Sequence, residues 1–185
     1  MLAERRFFFM DILKEGYLLH DSGRYKLARP PKALPPELML KHAQEYFEEW
    51  VHSADEFFID FGNALDRKSY KNAAFYLHQS AERYITCLLL VHTGYRPKEH
   101  DMEKLLRQAA GFDQRFSGIF PNDTHEEKHL FELIRRAYVD ARYSKSYNIS
   151  AKELKAIAKR IERLKALTEE VCTNKISTLK EAAGT

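Results

Sequence analysis

The sequence predicts an all-α protein, an up-and-down bundle of about five helices with a small N-terminal β-hairpin, and three observations carry that reading. Helix breakers are scarce where they would matter: of seven Gly and six Pro in 185 residues, only Gly62 and Gly94 fall between Pro36 and Pro97, and only Gly184 follows Pro121. Apolar residues recur at three- and four-residue steps through both tracts. Side chains that cap helix starts stand just ahead of those steps.

The first segment differs from the rest. Tyr17-Leu18-Leu19-His20 and Arg24-Tyr25-Lys26-Leu27 flank Asp21-Ser22-Gly23 and read as two strands around a glycine turn. Pro30, Pro31, Pro35 and Pro36 follow as a stiff connector. The first helix carries Ala43, Tyr46, Phe47, Trp50, Ala54, Phe57, Phe58, Phe61 and Ala64 along one stripe and breaks at residues 66–69. The second places Tyr70, Ala74, Leu77, Ala81, Tyr84, Leu88 and His92 on one face and ends at Gly94 and Pro97. Asp101 is the expected N-cap of a third helix that reaches Gly111. Thr124 with Glu127, and Ser150 with Glu153, have the form of capping boxes that open a fourth helix through Tyr138 and a fifth through Val171.

Composition narrows the function classes. With 44% hydrophobic and 31% charged residues the chain fits neither a disordered acidic tail nor a membrane protein. No apolar run approaches the roughly 18 residues of a membrane span, and the opening Met-Leu-Ala-Glu-Arg-Arg lacks a secretory pattern. A net charge of +3 implies no polyanion partner by itself. Cys87 and Cys172 are far apart and lack metal-site spacing, so neither a metal nor a disulfide framework is expected, and a reducing, cytoplasmic setting follows.

Four groups of residues merit weighing as sites. His125-Glu126-Glu127-Lys128-His129 spells a zinc-protease motif, but it sits in the exposed first turn after the Thr124 cap and reads better as a solvated helix start. His78, Gln79, Glu82 and Arg83 form a polar edge on the second helix, suited either to a ligand or to a structural ion pair. The segment from Tyr138 to Tyr147 joins three tyrosines to Arg142 and Lys145, a grouping that can stack a base and neutralise a phosphate, or simply anchor a loop. Lys152, Lys155, Lys159 and Arg163 line the last helix, where interspersed glutamates favour a solvated face over a polyanion site.

The run from Ala73 to Tyr84, with Leu77-His78-Gln79 and Ala81-Glu82 at its centre, followed by Leu88-Leu89-Leu90 and by His100-Asp101 before Leu105-Leu106, resembles the HEPN family over about residues 38 to 172. The resemblance implies a helical, often dimeric module linked to nucleotide binding and, in some branches, to RNA cleavage by an arginine with a histidine a few residues beyond. Here Arg142 is followed at that place by Tyr147, and a tyrosine, with a pKa near 10, is a poor general base at neutral pH. Phe8 to His20 looks like the end of the bacterial nucleotidyltransferase domain that precedes HEPN in fusion proteins, without its glycine-serine loop and paired aspartates.

The resemblance therefore implies residues 1–34 as a hairpin and connector left from such a domain, 35–175 as the HEPN-like bundle, and 176–185 as a tail. It further implies a module that binds a nucleotide or RNA phosphate at Arg142 and Tyr147, with Glu82, Gln79 and His78 positioning the ligand or the arginine, and neither a cofactor nor a metal is expected. A nucleotidyltransferase domain in cis or in trans and a second copy of the chain are the implied partners. Two alternatives stay open: a toxin-like ribonuclease using Arg142 with Tyr147 or a displaced histidine, and a purely structural docking and dimerisation module.

Overall fold

The computed structural model describes residue 12, residues 15–24 and residues 34–184. From Pro36 onward the chain forms α1 (Pro36–Asp66), α2 (Tyr70–Thr93), α3 (Met102–Ala110), a 3₁₀ turn (Gln114–Gly118), α4 (His125–Ala137), the single-turn α5 (Asp140–Tyr143) and α6 (Ala151–Ala182). Among the described residues there is no strand, so the fold is all-helical. The expected hairpin is not seen. Residues 17–20 have no strand pairing, and Tyr17 and Leu19 are 91% and 96% exposed, so this arm has no apolar surface to pack on. Its turn survives as a local feature, with the Gly23 N–H donating to Asp21 Oδ1 at 2.8 Å. The second arm, residues 25–27, lies outside the described residues.

The helix ends follow the caps. Pro36 occupies the first position of α1, where the missing N–H costs nothing. Asp101 accepts from the N–H groups of Glu103 and Lys104, and both capping boxes form in full. Gly94 closes α2 in the left-handed conformation at φ 65°. Lys68 adopts φ 59° in the α1–α2 turn, which the Ser69 N–H closes on Ala64 O at 2.8 Å. A lysine pays a Cβ clash there that glycine avoids. Lys68→Gly is expected to raise stability by about 0.5–1 kcal/mol, read from the urea midpoint. An unchanged or lowered midpoint would mean the turn carries no such strain.

α2 is the central helix. It is apolar on nearly every face from Ala73 to Val91, and such a helix must be surrounded. It packs against α1, α6, α4, α3 and α5. Two polar links pin the long helices together. Asp55 of α1 accepts from the Tyr84 hydroxyl of α2 and, at 2.6 Å, from Lys165 Nζ of α6. Burial, and then the Asp55 bond, push the Tyr84 phenol well above its ordinary value, so it remains a donor. Cys87 and Cys172, distant in sequence, meet between α2 and α6 as buried free thiols. The Cys87 thiol donates to Tyr46 O at 4.0 Å, and the neighbouring Cys172 together with burial raises it. α6 continues through residues 176–182, the stretch set apart as a tail, and Leu179 there is buried. Among the described residues no helix is long and apolar enough to cross a membrane.

Candidate functional site

The segment between α4 and α6 is built to hold one arginine at the surface. α4 ends at Tyr138, and the chain turns at once into α5, which Arg136 steadies by an ion pair to Asp140, Nε to Oδ2 at 2.6 Å. Lys71, at the start of α2, donates from Nζ to Ser144 O at 2.7 Å and so fixes the far end of α5. Arg142 projects from this turn. Its Nε donates to Tyr138 O at 2.8 Å, a bond that orients the guanidinium but leaves Nη1 and Nη2 without a partner among the described residues. Three rings surround it, with the guanidinium 4.8 Å from the Tyr138 centroid, 4.9 Å from Phe75 and 5.0 Å from Tyr143.

Tyr147 is placed differently from the expectation that it shares a ligand with Arg142. It is 2% exposed, and its hydroxyl donates to Leu133 O at 2.9 Å. Burial raises the phenol above its usual value and keeps it protonated. This side chain ties the α5–α6 loop to α4 and does not face solvent.

The polar edge of α2 assembles with a residue that the sequence reading had quoted only as part of a motif. Glu82 lies 3.0 Å by Oε1 from His100 Nδ1 and 3.5 Å by Oε2 from His78 Nε2, while Gln79 Nε2 donates to Oε2 at 3.5 Å. His78 is fully buried, and its Nδ1 lies 2.9 Å from Ile134 O. A carbonyl only accepts, so Nδ1 carries a hydrogen, while the buried Nε2 makes no hydrogen bond and lies only in electrostatic reach of Glu82. Burial alone would raise the Glu82 carboxyl. The nearby His78, and then the hydrogen-bonded His100, outweigh it and hold the group below the ordinary glutamate value.

Glu82 does not touch Arg142, so the expected direct positioning is absent among the described residues. The two are linked through Tyr138. Its ring stacks on His100 at 4.9 Å and 10°, and lies 5.4 Å from His78 on one side and beside Arg142 on the other. His100 owes its position to Glu99, whose Oε1 accepts from the His100 and Asp101 N–H groups while Oε2 pairs with Lys104 at 2.9 Å. The usable signal for His100 was its place just before the Asp101 cap, which fixes it at a helix start against the end of α2.

The zinc-type motif is spent on structure. His129 Nε2 pairs with Glu153 Oε1 at 2.7 Å, joining α4 to the start of α6, and Glu127 closes the Thr124 box. Among the described residues no group of three or more His, Cys, Asp or Glu side chains is placed to hold a metal ion.

The class these features define is a helical bundle that carries an arginine in an aromatic cage, flanked by a glutamate and two histidines. The HEPN domain model matches residues 47–171, more than half of the chain, and the protein belongs to that family. Comparison with curated proteins gives no match.

Proposed function

We propose that this HEPN domain binds the phosphate of a nucleotide or of RNA at Arg142, with Phe75, Tyr138 and Tyr143 as stacking surfaces, and that it does so without catalysis of its own. The observation that supports the reading most is the exposed guanidinium fork of Arg142, oriented through Nε yet unpaired at both Nη atoms. A guanidinium in that state matches two phosphate oxygens at once, and rings around it supply faces for a base. Glu82, His78 and Gln79 act through Tyr138, which they brace from behind. Carried over from the resemblance, a nucleotidyltransferase domain in cis or in trans and a second copy of the chain complete the proposal.

Calorimetric titration with ATP, GTP and short RNA tests it. Binding is expected with at least one of them, and Arg142→Gln is expected to weaken it about tenfold, the loss of one good phosphate contact. No heat with any ligand, or unchanged affinity in the variant, would reject the reading.

One observation favours a second reading, a ribonuclease with a displaced histidine. His100 is half exposed, is hydrogen-bonded to Glu82 and shares the Tyr138 ring with Arg142, which is the arrangement of a histidine base oriented by a carboxylate. RNA cleavage by the purified protein that is lost in both His100→Ala and Arg142→Ala would establish it. Cleavage that survives either substitution would dismiss it.

A further inference from the structure

A pair of arginines, on the opposite flank of α2 from its histidines, has no role in the site above. Arg83 projects from α2 with its guanidinium 5.3 Å from the Trp50 ring and 4.9 Å from the Phe57 ring. Arg96 arrives from the loop after Gly94 and lies 4.9 Å from the same indole. One arginine on a tryptophan is ordinary packing. Two on one ring repel each other, and a structural network would place a carboxylate between them. Here neither side chain forms an ion pair or donates a side-chain hydrogen bond among the described residues, and the Arg83 Nε is buried with no acceptor at all. An unsatisfied charged donor of that kind is costly.

The surroundings do not remove the excess positive charge. Glu82 and Glu49 attract Arg83 without reaching it, and burial together with Arg96 holds Arg83 below the usual arginine value. Both arginines are only partly buried, so a solute can reach them.

We propose that Arg83 and Arg96, seated on Trp50, form a second phosphate-binding site. A phosphate bound at the two forks accepts from their Nη atoms, relieves the mutual repulsion and leaves both guanidiniums on the indole.

The phosphate has two sources, a free phosphate or mononucleotide and the backbone of a single strand. The second fits the surface better. From Arg83 a ladder of rings runs back to the first site: Phe57 to Tyr76 at 6.3 Å, Tyr76 to Phe75 at 5.9 Å, and Phe75 to Arg142 at 4.9 Å. Along α2, residues 75 and 83 are about 12 Å apart at 1.5 Å per residue, a reach of three to four stacked nucleotides at about 3.4 Å each. A row of rings with a cation at each end is what a strand binds without sequence preference. This extension to Arg142 rests on the proposed reading of that residue; the Arg83–Arg96 site does not.

Trp50 is the sole tryptophan, so intrinsic fluorescence of the full chain reports on this site alone. Titration with inorganic phosphate, AMP and a single-stranded RNA of about eight nucleotides is expected to change the Trp50 emission. Arg96→Gln, a loop substitution, is expected to weaken that response about tenfold and to lower the salt slope for the RNA by about one. Arg83→Gln should do the same, provided circular dichroism shows the native helix content. Arg142→Gln should leave the phosphate response intact, which separates failure of this site from failure of the other. RNA binding at least tenfold tighter than AMP marks a strand as the ligand, and equal affinities mark a free phosphate or mononucleotide. No emission change with any probe, or a full response in Arg96→Gln, overturns the site.

Discussion

Tyr147→Ala is expected to lower the unfolding free energy by about 3–5 kcal/mol, the usual cost of truncating a large buried aromatic residue. The side chain is 2% exposed and sits among the buried residues of the core, so the space it leaves cannot fill with water at little cost. Tyr147→Phe isolates the hydroxyl. It keeps the ring but removes the donor to Leu133 O, leaving that buried carbonyl without the bond, at a cost of about 1–3 kcal/mol. Urea denaturation measures both. Nucleotide or RNA binding by the folded Phe variant should stay within about twofold of the parent, because the hydroxyl points inward from the Arg142 cage. A Phe variant of unchanged stability that no longer binds would show instead that the hydroxyl meets the ligand.

Tyr147 also shows where sequence reasoning stopped. Its spacing from Arg142 is a property of the chain, but the direction of its side chain is set by the α5–α6 loop folding back onto α4. No local pattern announces that. The helices were legible because their signals are local: the breaker-poor tracts, the stripes at helical steps, Asp101, and the Thr124 and Ser150 boxes all act within a few residues of themselves. α5 escaped notice because one turn leaves no periodicity to detect, and it holds through the Arg136–Asp140 pair and Lys71. The hairpin is not seen for a different reason. Apolar residues and a glycine turn are present in residues 17–24, but pairing needs a surface to bury against, and nothing in eight residues reveals whether one exists.

Within the site the same division holds. Arg142 and Glu82 were recognisable as chemistry-bearing residues, yet their coupling runs through Tyr138, His78 and His100, a contact set drawn from α2, α4 and the loop between α2 and α3. With Arg142 on α5, three helices and a loop must pack before those five residues meet. Cys87 and Cys172 are a parallel case, separated in the chain and adjacent only because α6 lies along α2. The arginine pair on Trp50 was half visible: Arg83 stood in the polar edge of α2, whereas Arg96 joins it only through the loop that Gly94 starts.

Glu82 gives the sharpest electrostatic expectation. Its carboxylate is nearly buried and faces two histidines, so Glu82→Ala would remove the hydrogen-bond partner of His100 Nδ1 and the carboxylate beside the buried His78 ring, and is expected to cost about 3–5 kcal/mol at pH 7. Glu82→Gln should cost clearly less. An amide can donate to the unprotonated Nε2 of a neutral His78 while its oxygen accepts from His100 Nδ1, giving a neutral network in place of a charged one. The two variants also differ from the parent in acid. Because the folded carboxyl lies below its ordinary value of 4.5, the unfolded chain binds the proton first as pH falls. The Glu82 contribution is therefore complete above about pH 5 and is lost as pH drops through the lowered folded value. Stability of the parent should fall along that acid limb more steeply than that of Glu82→Gln, so the two curves converge at low pH. Urea midpoints measured from pH 7 down to the acid limit test this. Parallel curves, or a Gln variant as unstable at pH 7 as the Ala variant, would mean that the carboxylate charge does not hold His78 and His100 in place.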